Sequence, residues 1–356
     1  MTFLDVLPAM ALSLGFAGAA SFAFAPFIRR QAEIHDVVDR PRGRHRHGRI
    51  VPMWGGLAPG IALLFAIGIC APWIRAWSPT VSSMQLWGFA IGVAVLLVGG
   101  AWDDARPLPP RLQILFPALA AALVVGSGTR AALVSHPLGG GFSLDWGTWL
   151  GVVWPADPLT FFWILVATYA TKLQDGLDGL VTGLAAIGTG LVAALAGSSP
   201  FFQPGIAVLA AAASGSFLGF LPSNAAPAKQ FLGESGSTVA GFALGVLAVL
   251  SGAKFAIALC VLAIPIADLG TVVVERLLAG RPWYEGDRSH LHFRLVAAGL
   301  SLRQAVGLYW GVSLGAGLLA LALQTRGKLL LLAALVLFTV TASVFARRRA
   351  ARLPSV

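Results

Sequence analysis

Long apolar runs separated by short polar loops dominate the chain. They lie near 4–28, 51–73, 82–101, 111–128, 158–173, 178–198, 203–221, 236–252, 254–278, 304–325 and 328–346. Runs of about 18 or more apolar residues with few charges cross a bilayer as helices. Residues 158–173 form the shortest run, and 254–278 is interrupted by Pro265 and Asp268. The pattern predicts an all-α, polytopic integral membrane protein of about 10–11 transmembrane helices, in one transmembrane domain over 1–356. Met1–Phe3 carries no basic residue, whereas Arg29 and Arg30 follow the first run. That is the reverse of a cleavable signal, so the run reads as a retained helix with its N-terminus outside.

With that orientation all but five of the 25 Lys and Arg residues face the cytoplasm, as topology rules expect. The five (Arg75, Arg130, Lys254, Arg326, Lys328) sit at outer ends, where long side chains snorkel. Arg347, Arg348 and Arg349 after the last run agree with an odd number of crossings. A mean hydropathy of +0.80 with 11% charged residues excludes a soluble globular protein. The net charge of +10 flanks membrane spans and points to anionic lipid headgroups rather than nucleic acid. Cys70 and Cys260 have neither disulfide nor metal spacing and read as packing residues. The outer connection near 129–157, with Gly139–Gly141 and Trp146-Gly147, predicts a small hairpin or interfacial loop.

All but three of the 15 Asp and Glu residues also fall inside, which topology does not require. Five inner segments hold the candidate chemistry. Asp39 to His47 is rich in Arg and ends at Pro52 and Gly55-Gly56, where glycine lets backbone approach a ligand. Asp103-Asp104 end the third run at the negative end of a helix dipole, a poor place for carboxylates that serve only solvation. In Asp175-Gly176-Leu177-Asp178-Gly179-Leu180 the two acids share one helix face or cap a helix. The interleaved glycines suit close approach to a phosphate or metal. Asn224 to Ser237 brings Lys229, Gly233, Glu234 and Ser235 to a helix start, where free N–H groups bind anions. Asp287-Arg288-Ser289-His290-Leu291-His292 places two histidines two residues apart, so they project from an extended loop towards phosphate or a proton.

If Asp103, Asp104, Asp175, Asp178 and Glu234 converge, each like-charged pair at about 5 Å repels by roughly 3 kcal/mol at an effective dielectric near 20. A divalent ion, basic side chains or protonation must offset this. Hard oxygen donors beside phosphate-binding glycines select Mg²⁺ over zinc.

Taken together, these segments resemble the polyprenyl-phosphate N-acetylhexosamine-1-phosphate transferases of glycosyltransferase family 4. That family includes undecaprenyl-phosphate GlcNAc-1-phosphate transferase and the phospho-MurNAc-pentapeptide translocase. The resemblance spans nearly the whole chain and rests on Asp103-Asp104, the DGLDGL run at 175–180 and Phe231-Leu232-Gly233-x-x-Gly236-Ser237. The 287–292 loop is similar to the GlcNAc-type branch. The resemblance implies a bacterial inner-membrane enzyme with a cytoplasm-facing cleft. Such an enzyme moves a sugar 1-phosphate from a UDP-sugar to an undecaprenyl-type phosphate with Mg²⁺ or Mn²⁺, releasing UMP for cell-envelope polysaccharide synthesis. Oligomeric state stays open, a homodimer included.

On that reading Asp103 or Asp104 orients or deprotonates the acceptor phosphate, with Asp103 favoured, and Asp175 and Asp178 are catalytic. Glu234 and Asp178 hold the metal. Arg288, His290 and His292 bind phosphate or sugar, with Asn224, Lys229, Gly233 and Ser235 also at the substrate. Arg44 and His47 meet the lipid phosphate. Four positions depart: Tyr169 and Lys172 stand where the family has Asn, Glu234 where it has Asp, and Phe293 where it has His. Lys172 thus occupies the place of a usual metal-side Asn. Two alternatives follow, a non-catalytic relative that binds a lipid-linked sugar or partner enzyme, and last a transporter using Asp268 within its span.

Overall fold

The computed structural model describes residues 2–40, 50–79, 81–136, 140–199, 202–252, 255–282 and 289–352. Arg44, His47 and Arg288 lie outside these residues. The chain opens with helix α1 (Phe3–Ile34), followed by the two-residue antiparallel pair β1 (Val38–Asp39) and β2 (Val51–Pro52). Next come α2 (Leu57–Trp77) and α3 (Ser83–Ala105), and then the short α4 (Pro110–Gln113) with α5 (Leu115–Gly126). On the outer side two hairpins pair β3 (Leu133–Ser135) with β4 (Gly141–Ser143) and β5 (Asp145–Trp149) with β6 (Val152–Pro155). The helices α6 (Ala156–Lys172), α7 (Leu180–Gly197), α8 (Pro204–Asn224) and α9 (Gly233–Leu250) follow. The chain closes with α10 (Phe255–Val261), α11 (Ala263–Leu278), the short α12 (Leu291–Ala297), α13 (Leu302–Ala322) and α14 (Thr325–Ala350).

Every expected span falls on helix, and the molecule is an all-α, multi-pass membrane protein. Among the described residues eight helices are long and apolar enough to cross a membrane alone, nine if α10 and α11 count as one. This is fewer than the eleven apolar runs, because 111–128 divides into α4 and α5 and 158–173 gives a helix of only 17 residues. Run 254–278 is bent by 68° between α10 and α11. Pro265 has no N–H for the carbonyl four residues back. That carbonyl, on Val261, accepts instead from the Ser313 hydroxyl of α13 at 3.0 Å, so the break is satisfied within the bundle.

Small residues set the helix spacing. On α1 the buried positions include Met10, Ser13, Ala17, Ser21 and Ala25, at steps of three and four. A side chain at Gly219 of α8 would strike the Gly18 carbonyl oxygen at 2.0 Å, so the α1 and α8 backbones touch. Helices α7, α8 and α9 are the buried centre, whereas α1 and α14 present most of their surface to lipid. Ser82 and Ser301 start α3 and α13 with reciprocal capping boxes to Gln85 and Gln304. The exposed Trp146, Trp149 and Trp154 crowd the outer hairpins, the headgroup level where such rings concentrate.

Candidate functional site

The inner ends of α3, α6 and α9 meet, because glycine removes the side chains that would keep them apart. A Cβ at Gly100 would lie 2.3 Å from the Ser235 Cα, and one at Gly56 would lie 2.0 Å from the Gly236 nitrogen. The segment before α2 then pairs with the one before α9: Gly55 N–H donates to the Phe231 carbonyl, Gly56 N–H to Leu232 and Phe231 N–H to Pro52. Trp54 closes this junction by donating its indole N–H to the Ala101 carbonyl at 2.8 Å. Gly233 turns the chain into α9 at φ +73°, a left-handed conformation that favours glycine. A Cβ there would also meet the Asp104 carboxylate at 2.6 Å.

Asp104 caps α9 from a different helix. Its carboxylate accepts from the Glu234 N–H at 2.8 Å, the Ser235 hydroxyl at 3.0 Å and the Ser235 N–H at 3.4 Å. A carboxylate at the end of α3 is badly placed for its own helix, but it sits against the positive end of α9. Its neighbour Asp103 faces another way. One Asp103 oxygen accepts from the Leu108 N–H at 2.7 Å and the Gln113 amide at 3.0 Å, which closes the α3–α4 turn.

The acidic residues of the 175–180 segment join the same cluster. Asp175 accepts from the Gly233 backbone. Burial first, then the charges of Asp104, Glu234 and Asp178, push its carboxyl well above the usual carboxylate range. Asp178 accepts from the Ala228 N–H at 2.8 Å. Lys172, at the end of α6, points into this cluster: its ammonium lies 2.5 Å from Glu234 Oε1 and donates to Gln113 Oε1 at 3.0 Å. Both partners of the ion pair are mostly buried, at 12% and 16% side-chain exposure. A narrow cleft of about 10 Å³, room for roughly one water, lies beside them, lined by Gly99, Gly100, Asp103, Gln113, Glu234 and Thr238.

In the expected metal set of Glu234, Asp178 and the Lys172 position, Glu234 is paired with Lys172 and Asp178 accepts from the Ala228 N–H. Among the described residues no three His, Cys, Asp or Glu side chains stand together at metal-binding spacing. Glu234 is held by a cation, and Lys172 is that cation rather than an oxygen donor.

Of the expected substrate contacts, Gly233 and Ser235 are engaged by Asp175 and Asp104, and three more also have protein partners. Asn224 is buried, accepting from the Gly179 N–H and the Thr182 hydroxyl while donating to the Gln230 carbonyl. It thereby ties the 175–180 turn to the segment before α9. His290 and His292 do not project from an open loop. Both rings are buried and stacked 5.8 Å apart. His290 Nδ1 pairs with Asp268 at 2.8 Å, Gln174 donates to the same Asp268 oxygen, and His292 Nδ1 meets the Gln174 side-chain oxygen at 2.9 Å. Burial, which outweighs the opposing charge of Asp268, lowers the His292 pKa to about 3. Lys229 is exposed at the rim, and Gly233 and Ser235 form the α9 entrance.

Sequence reasoning missed Gln113, Gln174 and Trp54. Gln174 directly precedes Asp175 and Trp54 directly precedes Gly55-Gly56, which are positional signals; Gln113 carries none. Asp268, read as an intramembrane acid, finds its basic partner in His290.

Comparison with known proteins adds to this geometry. A family model described as glycosyl transferase family 4 matches residues 86–252, a window holding Asp103 to Glu234. The chain is 33% identical over 291 residues to a probable undecaprenyl-phosphate N-acetylglucosaminyl 1-phosphate transferase of Bacillus subtilis (strain 168), covering 79% of this chain and 75% of the relative. It is 32% identical over 267 residues to a phospho-N-acetylmuramoyl-pentapeptide-transferase of Synechococcus sp. (strain WH7803), covering 69% and 70%. To the undecaprenyl-phosphate alpha-N-acetylglucosaminyl 1-phosphate transferase of Escherichia coli O157:H7 it is 29% identical over 310 residues, covering 83% and 78%.

Proposed function

The chain belongs to glycosyl transferase family 4, and we propose that it transfers an N-acetylhexosamine 1-phosphate, with N-acetylglucosamine favoured, from a UDP-sugar to an undecaprenyl-type phosphate at the inner face of a bacterial plasma membrane. An oxygen of the lipid phosphate attacks the β-phosphorus, the bond between the β-phosphorus and the bridging oxygen breaks, and UMP leaves. The observation that carries this reading is the meeting of Asp104 of α3, Asp175 and Asp178 of the α6–α7 turn and Glu234 of α9 beside the N-terminus of α9.

Catalysis of this kind is mostly positioning and charge stabilisation. Asp103, at the inner end of α3, orients the lipid phosphate. Asp103 keeps one carboxylate oxygen for the α3–α4 turn, which leaves the other to face the acceptor. Asp104 and Asp175 hold the entrance of α9, where they take the donors of Gly233, Glu234 and Ser235. Asp175, with its raised pKa, is placed to hold or pass a proton near the leaving UMP. Lys229 contacts the nucleotide side from the rim. Membership of the family is consistent with divalent-metal use, and Mg²⁺ or Mn²⁺ is the ion this chemistry takes. Glu234 is already paired with Lys172, so no step here runs through the ion.

The test is UMP release by purified protein from UDP-GlcNAc, undecaprenyl phosphate and Mg²⁺. Absence of UMP with several UDP-sugars, beside an active relative, rejects this reading. The same result with retained nucleotide binding favours the non-catalytic alternative, which the Lys172–Glu234 pair motivates.

A further inference from the structure

We propose that Lys172 is the built-in counter-ion of the carboxylate cluster, occupying Glu234 in place of a divalent cation and presenting the positive charge that an incoming diphosphate meets. The proposal builds on the nucleotide-sugar reading above and adds how its charge is balanced in this chain.

The ammonium is held on several sides. It pairs with Glu234 at 2.5 Å, donates to Gln113 at 3.0 Å and lies 5.4 Å from the centre of the Tyr169 ring. Gln113 in turn donates to Asp103, so one chain of contacts runs from Asp103 through Gln113 and Lys172 to Glu234. It joins the inner ends of α3, α4, α6 and α9. A lysine at the lipid or water surface would not have these partners. An ammonium and a divalent ion compete for one carboxylate oxygen and repel one another, so the residue that neutralises Glu234 also weakens any metal there. The carboxylates of Asp104, Asp178 and Glu234 act on Asp175, and that of Asp103 acts on Glu234. Lys172 reaches Glu234 and Gln113, both of which line the narrow cleft beside Asp103, so a phosphate oxygen that replaces Glu234 as its partner has to widen that cleft.

The experiment uses full-length protein in detergent or nanodiscs and needs neither sugar nor lipid acceptor. Mn²⁺ binding is read from the loss of the free-ion electron paramagnetic resonance signal, for the wild type, K172R, K172Q and K172N. K172Q and K172N are expected to bind Mn²⁺ about tenfold or more tightly than the wild type and K172R. Equal affinity in all four overturns the proposal. A second readout uses the wild type alone and stands if the variants fail to fold: UDP binding in EDTA by calorimetry. UDP is expected to bind without metal, and binding only when Mn²⁺ is supplied, or none at all, overturns it. A wrong choice of sugar or acceptor would abolish UMP release from UDP-GlcNAc yet leave the Mn²⁺ result unchanged, so the two failures are distinguishable.

Discussion

Asp104 and Ser235 sit on helices whose sequence positions are 131 residues apart, yet the carboxylate of one accepts the hydroxyl of the other at 3.0 Å. Together with the Glu234 N–H bond, this contact makes Asp104 the cap of a helix it does not belong to. A carboxylate in such a place has two separable duties, structural acceptor and charge. Asp104→Asn keeps an oxygen acceptor and removes the charge; Asp104→Ala removes both. We expect Asp104→Ala to lose about 1–2 kcal/mol of stability, the range for a missing helix cap. Asp104→Asn should stay near wild-type stability while UMP release falls about a hundredfold or more. Thermal unfolding in detergent, run beside the UMP assay, checks this; an active Asp104→Asn would leave Asp104 a cap alone.

The glycines at the junction separate from those elsewhere by what a methyl group would meet. Gly100→Ala places a Cβ 2.3 Å from the Ser235 Cα, where only backbone movement can relieve the clash. The expected loss is about 1–3 kcal/mol, with activity falling as α3 and α9 are pushed apart. Gly68→Ala on α2 and Gly315→Ala on α13 meet nothing within 4 Å and should be neutral or slightly stabilising. Equal melting temperatures for Gly100→Ala and these controls would contradict the packing.

Asn224 and Lys229 lie five positions apart and should behave in opposite ways. Asn224→Ala leaves the Gly179 N–H, the Thr182 hydroxyl and the Gln230 carbonyl without their partner, at about 1–3 kcal/mol for each group that stays buried and unsatisfied. We expect low yield and a lower melting temperature. Lys229→Ala touches an exposed side chain, so it should keep the melting temperature and raise KM for the UDP-sugar. A change in KM with Asn224 rather than Lys229 would reverse the assignment.

The histidine network makes a pH prediction. The folded pKa of His292, at about 3, lies below its ordinary value of 6.5, so the unfolded chain binds the extra proton between these values. The stabilisation is therefore present above pH 6.5 and is lost as pH falls towards 3, by up to about 1.4 kcal/mol per pH unit in that window. His292→Gln should flatten the acid limb of the stability curve between pH 6 and 4 relative to wild type, which thermal melts across that range measure. An unchanged acid limb would place the acid sensitivity elsewhere.

The apolar spans were legible in the chain because hydropathy is a local property, whereas Gly55-Gly56, read as room for a ligand, serves the approach of the Phe231–Gly236 backbone. The membrane turns those spans into position. A helix that crosses once must return, so Asp104, Lys172, Asp178 and Glu234 had to share one face. The 68° bend at Leu262, inside a stretch read as one span, and the Ser313 hydroxyl that satisfies it came only from the structure. What the order of residues could not express was orientation within the inner face. Whether Lys172 pointed at Glu234 or at water, whether His290 and His292 faced a cleft or Asp268, and which half of the Asp103-Asp104 pair capped α9 all depended on contacts between residues dozens to more than a hundred positions apart. Those contacts follow from helix rotation and from the close approach that Gly56, Gly100 and Gly236 permit, which only the packed bundle decides.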